Sequence, residues 1–182
     1  MSEPAAFALR PATHDDVEAI DALIGASARG LGRPDYTDAE IEAALGTAWG
    51  VDTELVRDGT YFVALAGRDI VGCGGWSRRA TLFGGDAEPG RRSDLLDPTR
   101  DAARIRAFFV HPHWARRGLG TALLDRCEAE ARAHGFRAAE LVATLPGVRF
   151  YRARGYASGE AFRHRLPGGV TIEFVPMRKT LA

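Results

Sequence analysis

The segment from Ala103 to Leu145 constrains the fold more than any other. It opens with the strand-like run ARIRAFFV, passes through HPHWARRGLGT, and continues as an amphipathic stretch to about His134. Leu119, Leu123, Cys127 and Ala131 recur on one helical face. Gly135 stands where helices commonly end in a left-handed residue. A second β-rich run, AAELVATL, follows at once. Strand, glycine turn, helix and strand in that order make a crossover, and such a connection holds its two strands parallel.

The flanking sequence supplies the partners. FALRPA, Phe7 to Ala12, alternates like a strand, and Thr13 with Asp16 signals a helix start before VEAIDALIGASA. LGRPDY is a loop, and Thr37 caps a second helix that ends near Gly46. Two β-rich runs, Tyr61–Leu65 and Ile70–Trp76, are split by AGRD and read as a hairpin. Residues Ala80 to Asp101, rich in Gly, Asp, Arg and Pro, read as a long surface loop. A short helical stretch, GVRFYRARGY, precedes two final strands, FRHRL and GVTIEFVPMRK, paired across PGG. The order β-α-α-β-β-β-α-β-α-β-β predicts a mixed α/β sheet with flanking helices. No repeat, low-complexity tract or domain boundary interrupts it.

At 182 residues, 46 % of them hydrophobic, the chain can bury a core as one domain. Twenty-four Lys+Arg balance 24 Asp+Glu, which gives no support to nucleic-acid or membrane-surface attraction. Cys73 and Cys127 lack metal-type spacing, and both read as small buried hydrophobes. MSEPAAFALR has no basic segment leading into an apolar core, and no run reaches membrane-spanning length. The expectation is a soluble, cytoplasmic protein.

The turn between strand and helix has its own chemistry. A helix N-terminus leaves its first N–H groups unpaired and partially positive. Glycines just before it let an anion approach the backbone, and Arg116 and Arg117 add charge. HWARRGLGT therefore suits a pyrophosphate. No GxxxxGK string exists, and a dinucleotide GxGxxG would need glycine where Leu123 stands. A plain glycine turn accounts equally well for two glycines taken alone.

The wider run IRAFFVHPHWARRGLGTALL, Ile105 to Leu124, closely resembles the acyl-CoA-binding segment of the GNAT superfamily of N-acyltransferases. FYRARGY, Phe150 to Tyr156, is similar to the family's FYxxxGF signature, and the preceding strand, two helices and GCGGW-containing hairpin match its order. The resemblance, spanning roughly Phe7 to Tyr156, implies a GNAT-like α/β fold: a mixed, mostly antiparallel central sheet with one parallel strand pair and flanking helices. Residues 1–182 would form a single N-acetyltransferase domain. Two positions depart from the pattern: Ala115 stands where many members have Gln or Arg, and Thr144 where many have an Asn that contacts CoA.

The resemblance also implies a reaction, in which an amine attacks the thioester carbonyl of acetyl-CoA, the co-substrate, with no metal. It places the cofactor against Phe109, Val110, Arg116, Arg117, Gly118, Leu119, Gly120 and Thr121. The Val110 N–H would stabilise the oxyanion and Tyr151 would protonate the departing thiolate. No general base is assigned: Arg104 stands where some members have Glu, and Asp101 and Glu140 read as solvated surface charges. His111 and His113 lack the further ligands a metal needs. Trp76 and Tyr36 fall in regions that line the acceptor side in the family, although core packing accounts for Trp76 and surface exposure for Tyr36. The implied partners are acetyl-CoA and an amine, with no nucleic acid or membrane; a homodimer is compatible with the sequence. A non-catalytic acyl-CoA sensor is the main rival, and acetyl-CoA turnover separates the two.

Overall fold

The computed structural model describes residues 6–182. The first five residues, part of the segment scanned for a leader, lie outside it. Eight strands form one sheet in the order β1-β2-β3-β4-β5-β8-β6, with β7 paired to the free half of β8. The strands are β1 Ala8–Pro11, β2 Tyr61–Ala66, β3 Asp69–Ser77, β4 Ala103–Val110, β5 Ala138–Thr144, β6 Ala157–Ser158, β7 Phe162–Arg165 and β8 Thr171–Thr180. Every pairing is antiparallel except β4 with β5, where Ala103 opposes Ala139 and Arg104 opposes Glu140. The predicted crossover and the mixed, mostly antiparallel sheet are both present.

Helices cover the two faces. On one side lie α1 (Val17–Leu31), α2 (Asp38–Ala44) and a short α3 (Thr53–Arg57), over a core that includes Ile20, Ile24, Ile41, Leu55 and Phe174. On the other lie α4 (Leu119–Ala133) and α5 (Leu145–Ala153), over Leu123, Leu124, Cys127, Leu141 and Tyr156. The caps are local: Thr37 Oγ1 accepts from the Glu40 N–H, while Glu40 returns a bond to the Thr37 N–H. Periodicity gave no sign of α3, because five residues are too few to show a repeat. Asp52 starts it by accepting from the N–H groups of Glu54 and Leu55.

The glycine-rich VGCGGW of β3 is a packing solution. A Cβ on Gly72 would stand 2.4 Å from the Leu119 side chain, where α4 begins. A Cβ on Gly74 would stand 2.7 Å from the Phe108 ring. Both cysteines are buried, and burial pushes the Cys73 thiol up to about 12. Trp76 is fully buried, with its indole N–H donating to Glu130. These residues have the core roles that their patterns predict.

One surface reading holds with a qualification and another needs correction. The segment Ala80 to Asp101 carries no regular element and is largely exposed, as expected of a long surface loop, but it is anchored to the body of the fold. Thr81 and Glu88 are buried, and the Arg106 side chain binds the segment from β4. Arg106 Nη2 donates to Asp52 Oδ2 and to the Gly84 carbonyl, both at 2.6 Å, and Nη1 reaches the Thr81 carbonyl. Arg91 joins the same buried carboxylate at 3.0 Å. Composition could not show this, because the carboxylate that draws in both arginines is thirty or more residues away. Glu140, read as a solvated charge, is partly buried and paired with Arg104 and Arg178.

Asp52 therefore holds together α3, β4 and the 80–95 segment. Asp52→Ala would leave the buried Arg106 guanidinium without its counter-charge, the half-buried Arg91 with only the more distant Glu54, and α3 without its cap. A loss of about 3–5 kcal/mol is expected, read as a shift of the urea midpoint. A loss below about 1 kcal/mol, the range of exposed ion pairs, would show that the cluster is not an anchor.

Candidate active site: a cleft through the sheet

The central feature follows from one irregularity in β4. The chain pairs with β5 only at Ala103 and Arg104, then turns away. Against β3 the register jumps between Cys73–Phe109 and Gly75–Arg106, so Ala107 and Phe108 together oppose Gly74. That is a β-bulge. Ala107 takes φ +55°, unusual for a residue with a side chain. Its carbonyl is held by the buried Tyr61 hydroxyl at 3.2 Å. The extra residue breaks the alternation at Arg106 and Ala107: Ile105 packs with the α4–α5 core, Arg106 and Ala107 both turn to the α1–α3 side, and Phe108 and Phe109 then resume the alternation.

The parted strands leave a cavity of about 540 Å³ that passes between the two helical layers. Its walls are the β4 residues Ile105–Val110 and the β5 residues Leu141–Thr144. One mouth lies at the start of α4, among Arg116, Gly118, Gly120, Thr121, Arg149 and Phe150. The other lies on the α1–α2 side, among Tyr36, Trp49, Leu82, Phe83 and Phe174.

At the first mouth the helix start has the predicted form. Gly118 is the N-cap residue with φ +83°, and no side chain caps the helix. The first bond of this turn runs from the Ala122 N–H to the Gly118 carbonyl, which leaves the amides of Leu119, Gly120 and Thr121 without helical partners. Arg116 also has a positive φ, +62°. Gly120 is small for a neighbour's sake, since a Cβ there would meet the Phe150 ring at 3.3 Å. Of the residues implied by resemblance, Phe109, Val110, Arg116, Gly118, Leu119, Gly120, Thr121 and Tyr151 all border the cavity. Arg117 does not border it; its guanidinium lies over the Trp114 ring, 5.1 Å from the centroid.

Val110 opposes Gly72, and the neighbouring His111 N–H bonds the Val71 carbonyl. In an antiparallel pair this phase turns the Val110 N–H away from β3. It donates to Ser27 Oγ at 3.3 Å, so a buried hydroxyl from α1 sits at the amide implied for the oxyanion. Tyr151 stands on α5 with its ring near Phe108, Phe150 and Tyr156. Burial pushes its phenol above the ordinary value, so it keeps its proton at neutral pH. Among the described residues its hydroxyl has no protein hydrogen-bond partner.

Tyr36 corrects the expectation of exposure. It is buried, and its hydroxyl donates to the Glu173 carbonyl while accepting from the Leu145 N–H, both at 2.8 Å. It thus ties the loop after α1 to β8 and to the start of α5. Ser27, Trp49, Phe83, Arg149 and Phe174 were not singled out from sequence. Each looks like ordinary helix, loop or strand until tertiary packing gathers it here. The His111 ring accepts from the His113 N–H, and no metal-type cluster occurs among the described residues.

The comparisons agree with this architecture. The profile of the acetyltransferase (GNAT) family matches residues 25–156. No curated protein sequence matches significantly. Among solved structures, a GCN5-related N-acetyltransferase from Rhodopseudomonas palustris superposes with a TM-score of 0.73 at 23 % identity, covering 100 % of this chain and 99 % of its own. The paia N-acetyltransferase from Thermoplasma acidophilum, in complex with coenzyme A, gives 0.64 at 14 % identity over 96 % and 99 %. The protein yncA from Salmonella typhimurium, with its cofactor acetyl-CoA, gives 0.63 at 16 % over 97 % and 95 %. With its profile match over most of its length, the chain belongs to the acetyltransferase (GNAT) family.

Proposed function

We propose that this protein transfers an acetyl group from acetyl-CoA to a primary amine by direct attack within a ternary complex. The observation that carries the reading is the cleft between β4 and β5, lined from both helical layers, with unpaired helix amides at one end. Acetyl-CoA brings an activated acyl thioester; the protein binds it, orients it and manages charge.

The amides of Leu119, Gly120 and Thr121, with Arg116, form the pyrophosphate site. Arg149, at the same mouth on α5, is a further cation within this anion-binding region. The free edge of β4, from Phe108 to Val110, faces the cleft and suits an extended, amide-bearing arm such as pantetheine. The acetyl carbonyl would replace Ser27 Oγ at the Val110 N–H. That existing bond is long, so little is lost by breaking it. The amine nitrogen attacks the carbonyl carbon, the carbon–nitrogen bond forms and the carbon–sulfur bond breaks. Tyr151 gives its proton to the departing thiolate, and the proton shed by the new amide nitrogen restores the phenol. The net products are an N-acetyl amide and CoA thiol.

Thr121→Glu tests the anion site with two readouts of opposite sign. A carboxylate in the first turn favours the helix itself, so thermal stability should hold or rise. The same charge opposes phosphate, so acetyl-CoA affinity measured by calorimetry should fall at least about tenfold, or about 1.4 kcal/mol. Unchanged affinity would remove the α4 start from the site.

Tyr151→Phe keeps the ring contacts and deletes the hydroxyl. If the phenol acts on the leaving thiolate, kcat should drop about 10²-fold, the low end for a general acid, with the KM for acetyl-CoA nearly unchanged. Near-normal kcat would assign Tyr151 to packing. A raised KM at constant kcat would make it a cofactor-binding residue.

A further inference from the structure

The α1–α2 mouth differs in chemistry from the α4 mouth. It is bordered by Tyr36, Trp49, Leu82, Phe83 and Phe174, and by Ala28 and Leu31 of α1. Tyr36 and Trp49 lie at 5.4 Å between ring centroids, and Phe83 and Phe174 at the same separation. None of the described residues lining the whole cavity is Asp, Glu, His or Lys. Its charged members are Arg106, Arg116 and Arg149, all cationic. Arg106 at the acceptor end is committed to Asp52 and two backbone carbonyls, so it offers no free fork to a substrate carboxylate.

We infer that the acceptor is a weakly basic primary amine carried on a flat apolar or aromatic body, without a carboxylate. The inference rests on the acetyl-CoA reading of the same cleft and adds the class of its second substrate.

Two physical arguments converge on it. The first is shape and solvation. Aromatic walls bury flat apolar surface well, whereas a charged ammonium in the same space finds no carboxylate in the lining to pair with. The second is proton bookkeeping, since only a neutral amine has the lone pair that attacks the thioester. At pH 7 an alkyl ammonium with a pKa near 10.4 is neutral to about one part in 2,500, while an α-amino group near 7.7–8.0 is neutral to roughly a tenth. The lining supplies no carboxylate or imidazole to make up that difference of more than about 200-fold. An amine that is neutral on arrival needs none, and the apolar site pulls it further toward the neutral form. It attacks as RNH2, and the proton it sheds passes to the CoA sulfur as described above, so the step balances without an external base.

The test compares three acceptors at saturating acetyl-CoA, following thiol release. Phenylalaninamide is aromatic and weakly basic, glycinamide weakly basic without the apolar body, and cadaverine strongly basic and dicationic. Phenylalaninamide is expected to exceed both others at least tenfold in kcat/KM at pH 7. Its kcat/KM should level off above about pH 8, while that for cadaverine keeps rising with pH, in step with its neutral fraction. Leu82→Glu, at an exposed position on the rim, should narrow the preference for phenylalaninamide over cadaverine at least tenfold. Cadaverine turning over as fast as phenylalaninamide at pH 7, or an unchanged preference in Leu82→Glu, would overturn the inference. So would acetyl-CoA binding by calorimetry with no turnover of any of the three, and in that case the cofactor site would stand. Failure of acetyl-CoA to bind would instead overturn the acetyl-transfer reading itself.

Discussion

The separation of β4 from β5 is the constraint on which the rest of the molecule depends. Two parallel strands that stayed paired would close the sheet and leave no cleft. Here the pairing ends after Arg104 and Glu140, whose side chains form an ion pair across the last rung. Beyond it the bulge at Ala107 re-aims β4, and the Tyr61 hydroxyl holds the turned carbonyl. Arg106 pulls the same stretch toward Asp52 on the opposite side from β5. Backbone groups left unpaired inside a protein cost free energy unless water or a ligand satisfies them. The open edge of β4 is therefore both a local cost of folding and a ready template for an extended ligand.

The two ends of the cleft use different physics. At the α4 end the attraction is electrostatic and largely backbone-derived: unpaired amides, a left-handed glycine and nearby arginines. A backbone-derived field of this kind depends little on the side chain at position 115. At the α1–α2 end the walls are rings held by tertiary contacts. Tyr36 is fixed by bonds to β8 and α5, and Phe83 by the arginine-bound segment around Gly84. Such walls favour flat apolar surface and make burying a charge costly.

Much of this could be read from the chain alone because the determining interactions are local. The crossover from Ala103 to Leu145, the helix start at Gly118 and the hairpin through VGCGGW are set by residues a few positions apart. Family resemblance then carried the reading from a glycine turn to an acyl-CoA site, which two glycines by themselves could not do. The misreadings share one cause. Tyr36 looked like an exposed loop residue and Glu140 like a solvated charge, and nothing marked how the Ala80–Asp101 loop is anchored, because the partners are Glu173, Arg104 and Asp52, far away in sequence.

What the sequence by itself determined is the set of elements, the direction of the crossover and the glycine-opened, uncapped form of the α4 start, all products of backbone propensity and short-range pattern. What only the tertiary structure decided is the cleft and its aromatic wall. The bulge at Ala107 depends on Gly74, Tyr61 and Phe108 meeting across strands. The apolar mouth depends on Tyr36, Trp49, Phe83 and Phe174 converging from a loop, a turn, a long segment and the last strand. Periodicity records which face a residue takes on its own element. It does not record which distant face will be packed against it.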